Sequence, residues 1–233
     1  MGGNVKKQNY LLFIIWLSLI PWKSALGIGG FGFQGGQSIF TASASESNGE
    51  GATLKTSEFA NPFSGGGYLY IDAIPVIDLE AEFSISFKKY TFDFGNGEGD
   101  RGPYNFGWAD FSIYLTAGKK IVGIEIPLLA KAKLFYGGGF NMHTVTPLMS
   151  MDLMKSALGD TLTVNPTNLS EDGLIDFLKE NQVNSSGFHI QSGLQFKVLM
   201  LDTFLFYRHT FAKDVIPGQD HFGSLNLRMG MGF

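Results

Sequence analysis

Ile77-Asp78-Leu79-Glu80-Ala81-Glu82-Phe83-Ser84-Ile85-Ser86-Phe87 alternates between apolar and polar side chains without a break. Successive side chains of a strand point to opposite faces, so this stretch is apolar on one face and acidic or hydroxylated on the other. The pattern returns in Phe188, Ile190, Leu194, Phe196 and Val198 against His189, Gln191, Gln195 and Lys197. It returns again in Leu225, Leu227, Met229, Met231 and Phe233 against Ser224, Asn226, Arg228, Gly230 and Gly232. An apolar face repeated over about ten residues suits a tilted membrane strand, which needs roughly 9–11 residues. Eight strands are expected, over 28–40, 64–74, 77–94, 107–125, 129–143, 186–198, 201–212 and 222–233. The alternation of the fourth slips at Lys119-Lys120, which reads as a bulge.

The connections between these strands alternate in length. Short ones centre on Ile74-Pro75-Val76, Ile126-Pro127-Leu128 and Leu199-Met200, and long ones cover 41–63, 95–106, 144–185 and 213–221. The long ones carry the Gly, Asn, Ser and Asp of solvated loops. Short turns at one end and long loops at the other are the plan of a bacterial outer-membrane barrel, with both termini at the periplasmic end. The fold class expected is therefore all-β: a closed, antiparallel, up-and-down transmembrane β-barrel of about eight strands, with short helices in one long extracellular loop.

Composition narrows the function classes. The chain of 233 residues has no Cys, which excludes disulfide frameworks, thiol nucleophiles and Cys-ligated metals. Charged residues make up 16% and the net charge is −4, so nothing attracts nucleic acid globally. Residues 1–27 read as a signal peptide: Lys6 and Lys7, an apolar run from Leu11 to Ile20, and the small-x-small site Ala25-Leu26-Gly27. That run is too short to span a bilayer. Cleavage would remove three lysines and leave 14 basic against 21 acidic residues, a net −7 over 28–233.

The last strand ends in Phe233, and Phe204-Leu205-Phe206-Tyr207-Arg208-His209-Thr210-Phe211 carries an arginine among aromatics. On these residues the chain resembles the small bacterial outer-membrane β-barrel proteins, the eight-stranded barrels similar to outer membrane protein A, without their periplasmic domain. His209 stands where those proteins often place a second aromatic residue. The resemblance implies a monomer in the outer membrane of a Gram-negative-type cell envelope, in contact with outer-membrane lipid. It also implies that Phe233 is the signal read by the barrel assembly machinery, and it implies no cofactor. Lipid A deacylases, which are barrels too, carry a His-x-Ser element. Phe211 occupies the nucleophile's place in His209-Thr210-Phe211, so that activity is not expected.

If Phe83 faces lipid, the opposite parity faces the lumen. The inward acids are then Asp72, Asp78, Glu80, Glu82, Asp110 and Asp202, and the inward bases Lys88, Lys120, Lys131, Lys133, Lys197, Arg208 and Arg228. Neither sign is stable alone in a narrow tube, so pairing into a charge network is expected. Eight strands leave room for side chains rather than a pore. Of Tyr68, Trp108, Tyr136, Phe140, Tyr207 and Phe211, those with lipid parity would form an aromatic girdle. Gly30-Phe31-Gly32-Phe33-Gln34-Gly35 matches a dinucleotide fingerprint, but no helix signal follows, and close packing of the first strand is the better reading.

His143 and His189 share inward parity on adjacent strands and are weak candidates for a shared metal, with no third ligand evident. In the loop 144–185, Leu148, Met149, Met151, Leu153, Met154, Ala157 and Leu158 suggest one short helix. Ser170-Glu171-Asp172 would cap a second, with Leu174, Ile175, Phe177 and Leu178 on its apolar side. That loop either covers the barrel mouth or binds a hydrophobic ligand or partner protein. The first long loop, with Ser43, Ser45, Glu46, Ser47, Asn48 and Glu50, reads as flexible and exposed. The expected function is a non-enzymatic structural or surface-interaction role. The alternatives are a narrow or loop-gated channel for small or hydrophobic compounds, a lipid-modifying enzyme, and a secreted soluble β-sandwich.

Overall fold

The structure, a computed structural model, describes residues 29–49, 51–72, 77–96, 99–126, 130–158 and 171–232. The expected signal peptide over residues 1–27, two of the expected short turns in part, residues 159–170 and Phe233 lie outside the described residues. The elements run β1 (Gly29–Ile39), β2 (Thr41–Ala42), β3 (Ser45–Gly49), β4 (Ala52–Thr56), β5 (Phe59–Ala60), β6 (Phe63–Ile71), β7 (Asp78–Asn96), β8 (Gly99–Ile126) and β9 (Ala130–Val145). Two helices follow, α1 (Met151–Leu158) and α2 (Glu171–Glu180), and then β10 (Val183–Val198), β11 (Leu201–Ile216) and β12 (Gln219–Gly232).

Among the described residues, eight of these strands close a ring. Each of β6 through β12 pairs antiparallel with its neighbour along the chain, and β1 pairs with both β6 and β12. Closure leaves the wall without a free edge, the only way a sheet satisfies its backbone in lipid. The odd positions of β7 face outward, with Phe83 54% exposed, while Glu82 and Ser84 are buried inside. Phe33, Leu69, Phe140, Ile190 and Leu227 continue the outer belt on other strands. A contiguous apolar belt this large has no place in water. An apolar outside around a polar inside is the reverse of a soluble sandwich, which the ring rules out.

Several strands run further than their sequence pattern. The stretch 95–106 is not an open loop: β7 and β8 stay paired to Asn96 opposite Gly99, with a register shift between Phe92 and Phe94. Likewise 213–221 is a hairpin, with Ile216 opposite Gln219. Beyond the belt no lipid face imposes alternation, so Gly, Asp and Asn occupy ladder positions and imitate a loop. The first long loop is also ordered. β3 and β4 form a hairpin, and β4 adds to β7 above the ring. The slip in the fourth predicted strand appears as a register shift between Lys120 and Val122.

Among the described residues the interior has two apolar clusters. A small one, Tyr68, Tyr70, Phe135, Phe204 and Phe206, lies in the lumen. A larger one fills the long-loop end, where Phe40, Phe92, Trp108, Met149, Met154 and Leu178 pack together. Both helices thus contribute to a cap over the mouth.

Candidate functional site: the lumen and its mouth

Alternation brings one polar residue each from β1, β10, β11 and β12 and two from β7 together in the lumen. Arg208 binds Glu82 through two parallel contacts, Nη1 to Oε1 at 2.7 Å and Nη2 to Oε2 at 2.5 Å. Arg228 also donates to Glu82, and it reaches Glu80 Oε2 at 2.9 Å. Gln34 Oε1 accepts from Arg228 Nε at 3.1 Å. Gln191 joins the two halves: its Oε1 accepts from Arg208 at 3.1 and 2.8 Å, and its Nε2 donates to Glu80 at 3.0 Å. Two guanidinium and two carboxylate groups leave this cluster neutral, and forked contacts suit arginine geometry. The Tyr114 ring lies 3.9 Å from the Arg208 guanidinium and the Phe206 ring 4.5 Å from that of Arg228.

Towards the short-turn end the inward charges form separate groups. Asp202 accepts from the Tyr70 hydroxyl and, at 2.8 Å, from Gln195. Lys120 pairs with Asp72 and lies 3.7 Å from Asp78. Lys131 pairs with Glu125 at 2.5 Å. Lys197 stands opposite Asp202 in the β10–β11 ladder and Lys133 opposite Gly123 in the β8–β9 ladder. Lys88, Lys131, Lys133 and Lys197 do not join the central cluster.

Asp110 is set apart from the other acids. It lies in the outer half, where both its oxygens are 3.0 Å from His143 Nδ1. His189 Nε2 meets Thr116 Oγ1 at 2.9 Å. The Tyr114 ring presents to both imidazoles, at 5.6 and 5.1 Å. Among the described residues no three His, Asp or Glu side chains converge as a metal site needs, so His143 and His189 gain no third ligand. Further out, Tyr90 accepts a hydrogen bond from the Met149 amide at 3.0 Å, and burial pushes its phenol up to about 12.

The glycine motif lines the wall. Gly30 and Gly32 stand opposite Tyr70 and Tyr68 on β6, and opposite Gly232 and Gly230 on β12. A Cβ on Gly30 would fall 2.6 Å from the Tyr70 ring, and one on Gly232 2.6 Å from the Tyr70 hydroxyl. The glycines make room for two inward tyrosines. Tyr68 and Trp108 are therefore interior residues, while Tyr136, Phe140 and Tyr207 face outward. Sequence reasoning did not single out Gln34, Gln191, Tyr70 or Tyr114. Their inward parity was visible, but not their partners.

At the mouth a cavity of about 760 Å³ opens between the first long loop, the approach to α1 and the β11–β12 turn. Trp108 and Val145 belong to its wall.

No protein-family model and no curated protein sequence matches the chain. In three dimensions it is similar to Ail, the attachment invasion locus protein of Yersinia pestis, solved with the heparin analogue sucrose octasulfate (12% identity, 90% of this chain and 100% of that one, TM-score 0.44). It is also similar to Neisserial surface protein A (14% identity, 90% and 100% covered, TM-score 0.45). A third similar structure is the N-terminal β-barrel domain of Pseudomonas aeruginosa OprF (9% identity, 89% and 100% covered, TM-score 0.42).

Proposed function

We propose that the chain is a monomeric, non-enzymatic barrel of the bacterial outer membrane that acts through its long-loop end. In this reading residues 1–27 are cleaved on export, and the assembly machinery reads Phe233. The long loops face outside the cell, and outer-membrane lipid covers the belt. The observation that carries the reading is the neutral, mutually hydrogen-bonded cluster of Glu80, Glu82, Arg208 and Arg228 across the lumen beneath an apolar cap. Such a plug favours a wall that bears loops over a conduit. His209-Thr210-Phe211 has no hydroxyl at the position a deacylase nucleophile would need.

The test is electrical. Purified protein in planar bilayers should give closed traces, and the unboiled protein should run faster than the boiled one on a detergent gel. Stepwise single-channel currents would overturn the plug and favour the channel. Altered lipid A or phospholipid profiles on overexpression would favour an enzyme instead.

A further inference from the structure

We propose that the crevice between α2 and the outer wall of β7 and β8 seats one anionic, phosphate-bearing lipid of the surrounding leaflet. The inference rests on the reading that outer-membrane lipid covers the belt, and it names one lipid site at the belt's edge. The crevice has a volume of about 350 Å³. It begins where the belt ends. Phe87 is the last apolar residue on the outward face of β7, and Lys89, Thr91 and Asp93 follow it on the same face. Gly107 stands opposite Lys89 in the β7–β8 ladder, and a Cβ on it would fall 2.4 Å from the Phe87 ring. The bare glycine lets that ring lie across β8 as an apolar floor. The opposing wall is α2. Leu178 is buried in the cap, while Ile175, one turn earlier, is 37% exposed and lines the crevice. Phe87, half exposed, belongs to the belt and to the crevice alike, so an acyl chain passes from one to the other without crossing a polar residue. Charge then selects the head. Lys89 lines the crevice from the wall and Lys179 from the helix, and none of the described lining residues is acidic. Lys89 is exposed and has no carboxylate partner among the described residues. Lys179 pairs with Asp176 at 3.0 Å, with side chains 62% and 71% exposed. An ion pair so exposed is worth little, which leaves the ammonium free to turn to a phosphate. Two bases above an apolar crevice suit an anionic head on an acyl chain, and membrane lipid carries its negative charge on phosphate.

The test uses protein extracted from membranes into detergent micelles and native mass spectrometry, which counts both the lipids and the copies of the chain in each complex. The probes are dioleoylphosphatidylglycerol, dioleoylphosphatidylcholine and glycerol phosphate: the anionic lipid, the same chains under a neutral head, and the head alone. Phosphatidylglycerol should bind saturably, one per barrel, and about tenfold more tightly than phosphatidylcholine, the order expected for lysines facing an anionic head. Glycerol phosphate should not bind. Lys89→Gln with Lys179→Gln should lower phosphatidylglycerol affinity about tenfold, to the phosphatidylcholine level. Ile175→Ser cuts back the apolar wall and should weaken both lipids alike, several-fold. Lys213→Gln, at an exposed lysine on β11 across the ring, should change neither. If the double lysine variant gives no folded band, the ratio of the two lipids on the parent chain and the Ile175→Ser result decide. No retained lipid on a barrel with folded gel mobility would overturn the proposal, as would equal affinities for the two lipids or an equal loss in Lys213→Gln. Two chains retained without lipid would assign the crevice to a second copy, and glycerol phosphate binding as tightly as the lipid would assign it to a free anion; either result overturns the proposal. Loss of folded mobility in the parent chain would count against the proposed function instead.

Discussion

Glu82 accepts from both buried arginines, so its charge balances more than one neighbour. Removing that charge leaves two guanidinium groups against Glu80 alone. Glu82→Gln should cost about 3–5 kcal/mol, the usual penalty for stranding a buried charge. Urea unfolding in lipid vesicles reads this directly. Adding Arg208→Met should recover part of the loss, since the stranded charge goes with it. A cost below about 1 kcal/mol would mean that water already solvates the lumen. One position along, Phe83 meets a different medium. Phe83→Arg should lose about 2–4 kcal/mol of insertion free energy, while Phe83→Leu should retain folded mobility after refolding into vesicles.

At the scale of elements, legibility followed the belt. Where β7 crosses it, Ile77 to Phe87 shows a strict period of two because lipid and lumen impose opposite demands on each face. Past Lys89 the same strand continues to Asn96, yet Asp93, Gly95 and Asn96 read as loop. The hairpin of β3 and β4 was hidden for the same reason: Ser45 to Gly49 pairs by backbone, and backbone pairing leaves no compositional trace. Parity assigns a face to each charge but not its partner. Arg208 meets Glu82 from 126 residues away, through the stagger of strands around the ring. Asp110 shares the parity of Ser84 and Glu82 neighbours, yet it pairs with His143 in the outer half. The helices were legible from Met and Leu spacing, although their docking was not. Met154, fully buried under the cap, gives a test. Met154→Asp would bury an unpaired carboxylate there. Limited proteolysis should then cut within 146–182 many times faster, with the barrel band intact. Unchanged cleavage would show that the cap does not rest on α1.

At the scale of the whole molecule, the wall is a ring whose rigidity comes from its ladders and whose inward side chains, among the described residues, pair and pack across the lumen. Filling occurs in layers: paired charges near the short turns, aromatic rings, the central arginines, the histidine layer and the apolar cap. Each layer has its own partners, so a defect in one need not open a path through the others. That is why closed traces are expected even for single lumen variants such as Gln191→Ala. The seam between β1 and β12 has its own consequence. Gly30 lies directly opposite Gly232 there, at the short-turn end. The order of strands along the chain is therefore arbitrary with respect to the ring. In the reading proposed above, a circular permutant with Phe233 tied to Gly29 by a short linker, new ends cut between Pro217 and Gly218, and residues 1–27 set before the new N-terminus keeps every ladder and changes only the terminal position of Phe233. It should fold in detergent as readily as its parent but fail to reach the membrane in cells, separating what closes the barrel from what delivers it.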